Sequence, residues 1–226
     1  MTTLIARAER FAELRHDGQT RRGAAAEPYI QHPQDVARLT YDFGGDEAEI
    51  CAAWLHDTVE DCPPTSFADI ENEFGARIAA IIRELTDDKS LPGPERKRLQ
   101  VVNAPGKSRS AALVKLADKT SNLRSLENSP PVDWDFGRRI EYLRWSREVV
   151  MALPFHPAKG LAAFHQAFDV AEMTVAEQGL SVRQAQGVAL DVIRRRAEML
   201  GASEEKIQRL LRALIVQHAA DTRKVD

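Results

Sequence analysis

Ala52-Ala53-Trp54-Leu55-His56-Asp57-Thr58-Val59-Glu60-Asp61 decides how the rest of the chain is read. An apolar run ends abruptly in a histidine beside an aspartate, and two more acids follow within one helical turn. Charge next to Trp54 and Leu55 is costly to bury unless something compensates it, and a divalent cation is the natural compensator. On a helix the two neighbouring side chains point about 100° apart, yet both can converge on an ion lying off the helix face. Glu60 and Asp61, one turn on, stand close enough to handle water at such an ion.

The chain has 226 residues, enough for one large domain or one domain with an appendage. Its 43% apolar content supports a real core, and its 6% aromatic content predicts one built of Leu, Ile, Val and Ala. A net charge of −3 argues against a nucleic-acid partner, whose footprint is usually basic. Cys51 and Cys62 are the only cysteines and make no disulfide framework; Cys51, inside the apolar run, reads as a core thiol. There is no signal-like block at the start, and no apolar run approaches the roughly 18 residues of a membrane span. The expected location is the cytoplasm, with no membrane partner.

Outward from the opening stretch, helical periodicity recurs throughout and no segment alternates like a strand. Thr2 or Thr3 caps a first helix that ends at His16-Asp17-Gly18. A polar loop, 19–27, carries Arg21 and Arg22. Pro28-Tyr29-Ile30-Gln31-His32-Pro33 then places His32 at the start of a helix, with Pro33 as its first residue, and Gly44-Gly45 stops it. Asp46 caps the helix that enters the His-Asp pair, which Pro63-Pro64 closes. Thr65 or Ser66 opens a short helix ended by Gly75. Further helices are read over 77–86, 95–102, 111–126 and 133–153, and beyond Pro157 over about 158–178, 181–200 and 203–219. The fold class is all-α, a multi-helix globule.

Four ligand-type residues lie on three of these helical segments: His32, His56, Asp57 and Asp118. Taken singly, His32 is an ordinary helix-start histidine and Asp118 a salt-bridged acid. Their joint occurrence beside apolar core is what points to a metal. Two imidazoles and two carboxylates suit Mn²⁺, with Fe²⁺ or Zn²⁺ disfavoured, and leave positions for water and a substrate oxygen.

In their helical settings these residues resemble the HD superfamily of metal-dependent phosphohydrolases. Leu55-His56-Asp57-Thr58-Val59-Glu60-Asp61, Leu85-Thr86-Asp87-Asp88-Lys89, Val114-Lys115-Leu116-Ala117-Asp118-Lys119, Asn122-Leu123 and Glu141-Tyr142 narrow the resemblance. Over residues 1–168 the chain is similar to the hydrolase domain of the RelA/SpoT alarmone enzymes, and most to the stand-alone small alarmone hydrolases, the metazoan SpoT homologue among them. The resemblance implies Mn²⁺-dependent removal of the 3′-pyrophosphate of (p)ppGpp. It assigns His32, His56, Asp57 and Asp118 to the metal, and Glu60 and Asp61 to the attacking water. Arg21 falls to the guanine base, and Asn122 and Tyr142 to the ribose and phosphates. Lys89, after the Thr-Asp-Asp word, is a further substrate-binding candidate.

The synthetase domain of the long family members has no counterpart, so the chain is expected to degrade alarmones without making them. Residues 169–226 match nothing recognisable. Val182, Ala185, Val188, Val192, Ile193, Ile207, Leu210, Leu211 and Leu214 describe amphipathic helices that pack on the core or on a partner subunit, which leaves room for a homo-oligomer. Two other readings of the same site stay open: a hydrolase of ppApp or of the 2′-phosphate of NADPH, and a non-catalytic alarmone-binding module.

Overall fold

A computed structural model describes residues 2–179 and 186–211, without the side chains at 178, 179 and 186–191. Eleven α-helices are named in order: α1 Leu4–Arg15, α2 Gln31–Asp42, α3 Glu47–Leu55, α4 Thr58–Asp61, α5 Phe67–Phe74, α6 Ala76–Leu85, α7 Gly93–Asn103, α8 Arg109–Asn128, α9 Phe136–Ala152, α10 Ala158–Gly179 and α11 Gln186–Met199. A 3₁₀ turn, Ala104–Gly106, links α7 to α8, and a further helical stretch covers 204–211. The described residues contain no strand, only isolated bridges between Thr20 and Pro28 and between Gly23 and Pro131. The all-α expectation holds.

The helix starts are written in local chemistry. The Thr3 side chain accepts from the Ala6 N–H, and Asp46 and Ser66 form capping boxes with Glu49 and Asp69. Gly44 and Gly75 end α2 and α5 with φ of +90° and +91°, conformations that side chains with a Cβ resist. Several boundaries differ from the periodicity; α7 spans Gly93–Asn103 rather than 95–102 and α8 Arg109–Asn128 rather than 111–126. α2 begins at Gln31, so Pro33 is its third residue rather than its first. α9 begins at Phe136, because the Asp135 side chain caps it by accepting from Arg138 N–H. Most consequentially, the helix entering the His-Asp pair stops at Leu55, and the pair forms a turn before α4.

α8 is the central element. α10, α2, α3, α6 and α9 all pack against it, and its buried residues run from Ala111 to Leu126. α10 comes in closely where Gly160 lies against Leu116 and Phe43. A Cβ there would stand 2.9 Å from Leu116 Cδ2 and 3.1 Å from the Phe43 ring. The main core continues along α10 through Phe164, Phe168, Ala171 and Val175. Ala176, Val192, Ile193, Ile207 and Leu211 form a second, smaller cluster. Leu210, expected on the same apolar face, is exposed. Val182, Ala185 and Leu214, and the side chain of Val188, lie outside the described residues.

Phe164 is fully buried on α10. Phe164→Ala is expected to cost about 3–5 kcal/mol through lost burial and the cavity left behind, read as a lower urea midpoint at unchanged slope.

Candidate metal centre and nucleotide cleft

The buried end of α3 is where the centre is made. A helix leaves its last carbonyls without intrahelical partners, and here they face protein rather than water. His56 Nδ1 lies 2.8 Å from the Ala53 carbonyl, and Thr58 Oγ1 donates to the Leu55 carbonyl at 2.7 Å. A carbonyl only accepts, so His56 Nδ1 carries a proton, and in the neutral ring the lone pair is on Nε2. That Nε2 is buried and has no hydrogen-bond partner.

α2 brings His32 to the same place, its ring centroid 5.2 Å from that of His56. His32 Nδ1 is 3.2 Å from Ser121 Oγ, while Nε2 faces Asp118 Oδ1 at 3.5 Å and Asp57 Oδ2 at 3.7 Å. Burial pushes the His32 imidazole below its ordinary pKa, and the charge of Arg21 adds to the effect, so the ring is neutral and fit to ligate. His32, His56 and Asp118, all buried, offer ligand atoms within 4.8 Å of one another. Asp57 stands outside that triad but against it, with Oδ2 3.2 Å from His56 Nε2 and accepting from Tyr29 Oη at 2.6 Å.

Asp118 is the most heavily partnered. Oδ1 accepts from Asn122 Nδ2 at 2.6 Å, and Oδ2 faces Lys115 and Lys119 Nζ at 3.4 and 3.5 Å. Burial alone would raise this carboxyl, but the two ammonium groups outweigh it and hold Asp118 well below the usual carboxylate range. The donor set fits a divalent ion. The neutral His32 imidazole meets ionised carboxylates, and the buried His56 Nε2 has no hydrogen-bond partner and faces Asp57 Oδ2.

α4, directly after the turn, carries the two remaining acids. Glu60 Oε2 accepts from Asp87 N–H at 3.0 Å, and its Oε1 lies 3.7 Å from Arg96 Nη1. Burial pushes the Glu60 carboxyl up, and the nearby Asp87 and Asp57 carboxylates add to the rise. Lys89 donates to Asp61 Oδ1.

Of the sequence-predicted substrate residues, Arg21, Asn122 and Tyr142 meet in one cavity of about 240 Å³, shared with Tyr29, Leu126 and Trp134. Arg21 Nη2 donates to Asn122 Oδ1 at 3.2 Å, and its guanidinium lies 5.7 Å from the Tyr29 ring centre. A second cavity of similar size lies across Arg21 and reaches His32, Asp35, Ser121 and Arg124. Lys89 does not line either cavity; it is held on Asp61. Tyr29 and Trp134 have no site role in the sequence reading, whereas Arg96 belongs to its basic residues around a charged substrate. Of the first two, only Tyr29 had a signal, as part of the word that delivers His32.

An HD-domain family model matches residues 8–141. The chain is 49% identical over 152 residues to the guanosine-3′,5′-bis(diphosphate) 3′-pyrophosphohydrolase of Xenopus tropicalis, which covers 66% of this chain and 84% of that protein. Identity to the human enzyme of the same name is 48% over 145 residues, 63% of this chain and 80% of the other. Among solved structures, a metazoan orthologue of SpoT described as hydrolysing ppGpp superposes with a TM-score of 0.70 at 37% identity, over 74% of this chain and 95% of that one.

Tyr29 Oη is the group that orients Asp57. Tyr29→Phe is expected to weaken binding of a divalent metal to the free protein by about ten- to hundredfold, the usual effect of losing a group that orients a ligand, with the far-ultraviolet circular dichroism unchanged. Isothermal titration with the metal checks it.

Proposed function

Because the chain belongs to the HD-domain family, among the guanosine-3′,5′-bis(diphosphate) 3′-pyrophosphohydrolases, we propose that it hydrolyses the 3′-pyrophosphate of (p)ppGpp to GDP or GTP and pyrophosphate, with Mn²⁺ as its metal. The observation that carries this reading is the orphaned, buried His56 Nε2 facing His32, Asp57 and Asp118, beside an arginine-lined cavity of nucleoside size.

In this reading His32, His56, Asp57 and Asp118 hold the ion. When bound, it supplies positive charge that acidifies water and shields phosphate. Glu60 and Asp61 take the proton from the water that attacks the phosphorus next to the ribose 3′ oxygen. The bond to that oxygen breaks, the oxygen is protonated, and pyrophosphate departs. A carboxyl raised by burial, as in Glu60, is better matched to this proton transfer near neutral pH than a solvated one.

Arg21 presents its guanidinium plane to the purine, steadied by Asn122. Tyr29, Trp134 and Tyr142 supply the aromatic walls of the same slot. Lys89 exchanges its carboxylate partner for a substrate phosphate. We assign the hydrolase body to residues 1–168; beyond it, the described residues 169–179, 186–199 and 204–211 are helical. No described helix is long and apolar enough to cross a membrane, and we place the enzyme in the cytoplasm.

Purified protein supplied with Mn²⁺ is expected to release pyrophosphate from ppGpp. No release with metal bound would refute the assignment. Glu60→Gln should lower kcat by about 10²–10⁴-fold. Since the base works deprotonated, the wild-type rate should fall as pH drops, with a midpoint above the ordinary glutamate value. Loss of that limb in Glu60→Gln is the check on the residue. Arg21→Ala should act mainly on KM.

A further inference from the structure

Two lysines that ligate nothing sit inside the molecule against Asp118. Lys115 and Lys119 are both buried on α8. Their Nζ atoms converge on the same oxygen, Asp118 Oδ2, at 3.4 and 3.5 Å. Lys119 also lies 4.1 Å from the centre of the Trp145 ring, whose Nε1 is anchored on the Lys97 carbonyl at 2.9 Å. The other Asp118 oxygen, Oδ1, is the one that faces His32 Nε2. The carboxylate is thus two-ended, with imidazole on one side and two ammonium groups on the other.

As a stabilising device this is a poor arrangement. Each buried charge costs several kcal/mol of hydration, and one carboxylate cannot compensate two cations. Buried ion pairs of this kind are often replaced by apolar residues without loss of stability. The charge balance offers another reason for them. With neutral imidazoles, Asp57 and Asp118 alone would make a doubly negative cage, which binds a divalent cation tightly and spends the ion's charge on its own ligands. Lys115 and Lys119 cancel those two charges. An ion entering a cage whose two ligand charges are balanced in this way keeps more of its positive field for the phosphates of the substrate.

We propose that Lys115 and Lys119 are positioning residues that act through Asp118: they draw its negative charge toward Oδ2, weaken the grip on the metal, and leave the centre more positive toward the substrate's phosphates. This rests on the metal-dependent reading above, but it predicts a result that a merely structural role would not produce. Removing either lysine should tighten metal binding while slowing turnover.

The test is titration of Mn²⁺ into metal-free wild-type, Lys115→Met and Lys119→Met proteins, following the electron paramagnetic resonance signal of free Mn²⁺. Thermal unfolding of each protein is measured alongside. Methionine keeps an unbranched side chain without the charge. Each variant is expected to unfold no earlier than wild type and to lower the Kd for Mn²⁺ by about tenfold. At saturating Mn²⁺ it should lose about ten- to hundredfold in kcat/KM on ppGpp. Unchanged or weaker Mn²⁺ binding in two folded variants would overturn the proposal, as would tighter binding with turnover intact. A wild-type protein that binds Mn²⁺ yet leaves ppGpp untouched would instead sink the substrate assignment, and the comparison of affinities would still stand on its own.

Discussion

The site depends on ending α3 inside the protein. A helix that stops in the core exposes carbonyls to an environment with no water, and each such group must find a donor. His56 and Thr58 are those donors. By spending Nδ1 on Ala53, His56 is fixed in one tautomer and one orientation, and its second nitrogen is left with no partner. The backbone need and the ligand geometry are met by one side chain. The same turn sets Asp57 beside the ring and starts α4, so Glu60 and Asp61 stand on the element that the break creates.

Electrostatics then decides what surrounds the break. Asp118 meets Lys115 and Lys119, Asp61 meets Lys89, and Glu60 lies near Arg96. Acids gathered for chemistry would otherwise repel one another and rise in pKa; Glu60 still rises, through burial first and neighbouring carboxylates second. Lys115 and Lys119 are neighbours of Asp118 on α8, but the cations that restrain Asp61 and Glu60 come from the loop after α6 and from α7, elements that follow α4 only after α5 and α6. Assembly of the site is therefore inseparable from packing α8 at the centre and α7 along α9.

Much of this was legible from the chain because the signals are local. Asp46 and Ser66 announce their helices through side chains three residues from their partners. His56 stands out at the end of an apolar run, and His32 and Asp118 gain their meaning only jointly with it. The break at Leu55 was not legible, since the periodicity of residues 47–61 is compatible with one continuous helix and only burial of its end decides otherwise. Arg96 sits on α7, which has no buried residue and reads as a solvated basic helix. Its relation to Glu60 exists only in three dimensions. Trp134 lies in a short turn after Pro131 with no pattern of its own. It enters the cleft because Gly23 bridges to Pro131 across more than a hundred residues.

α8 shows why the most functional helix is the hardest to read by amphipathicity. A surface helix sorts its residues into a dry face and a wet one. α8 is buried on nearly all sides, so Lys115, Asp118 and Lys119 have no wet face to occupy and must answer one another. Its apolar residues, Leu113, Leu116 and Leu123, hold the neighbouring helices in place, and its charges fall between them. A change that loosens this packing also alters the spacing of Asp118 from His32. Stability and chemistry in this fold are consequently tuned on the same twenty residues, Arg109–Asn128, and neither can drift far without the other.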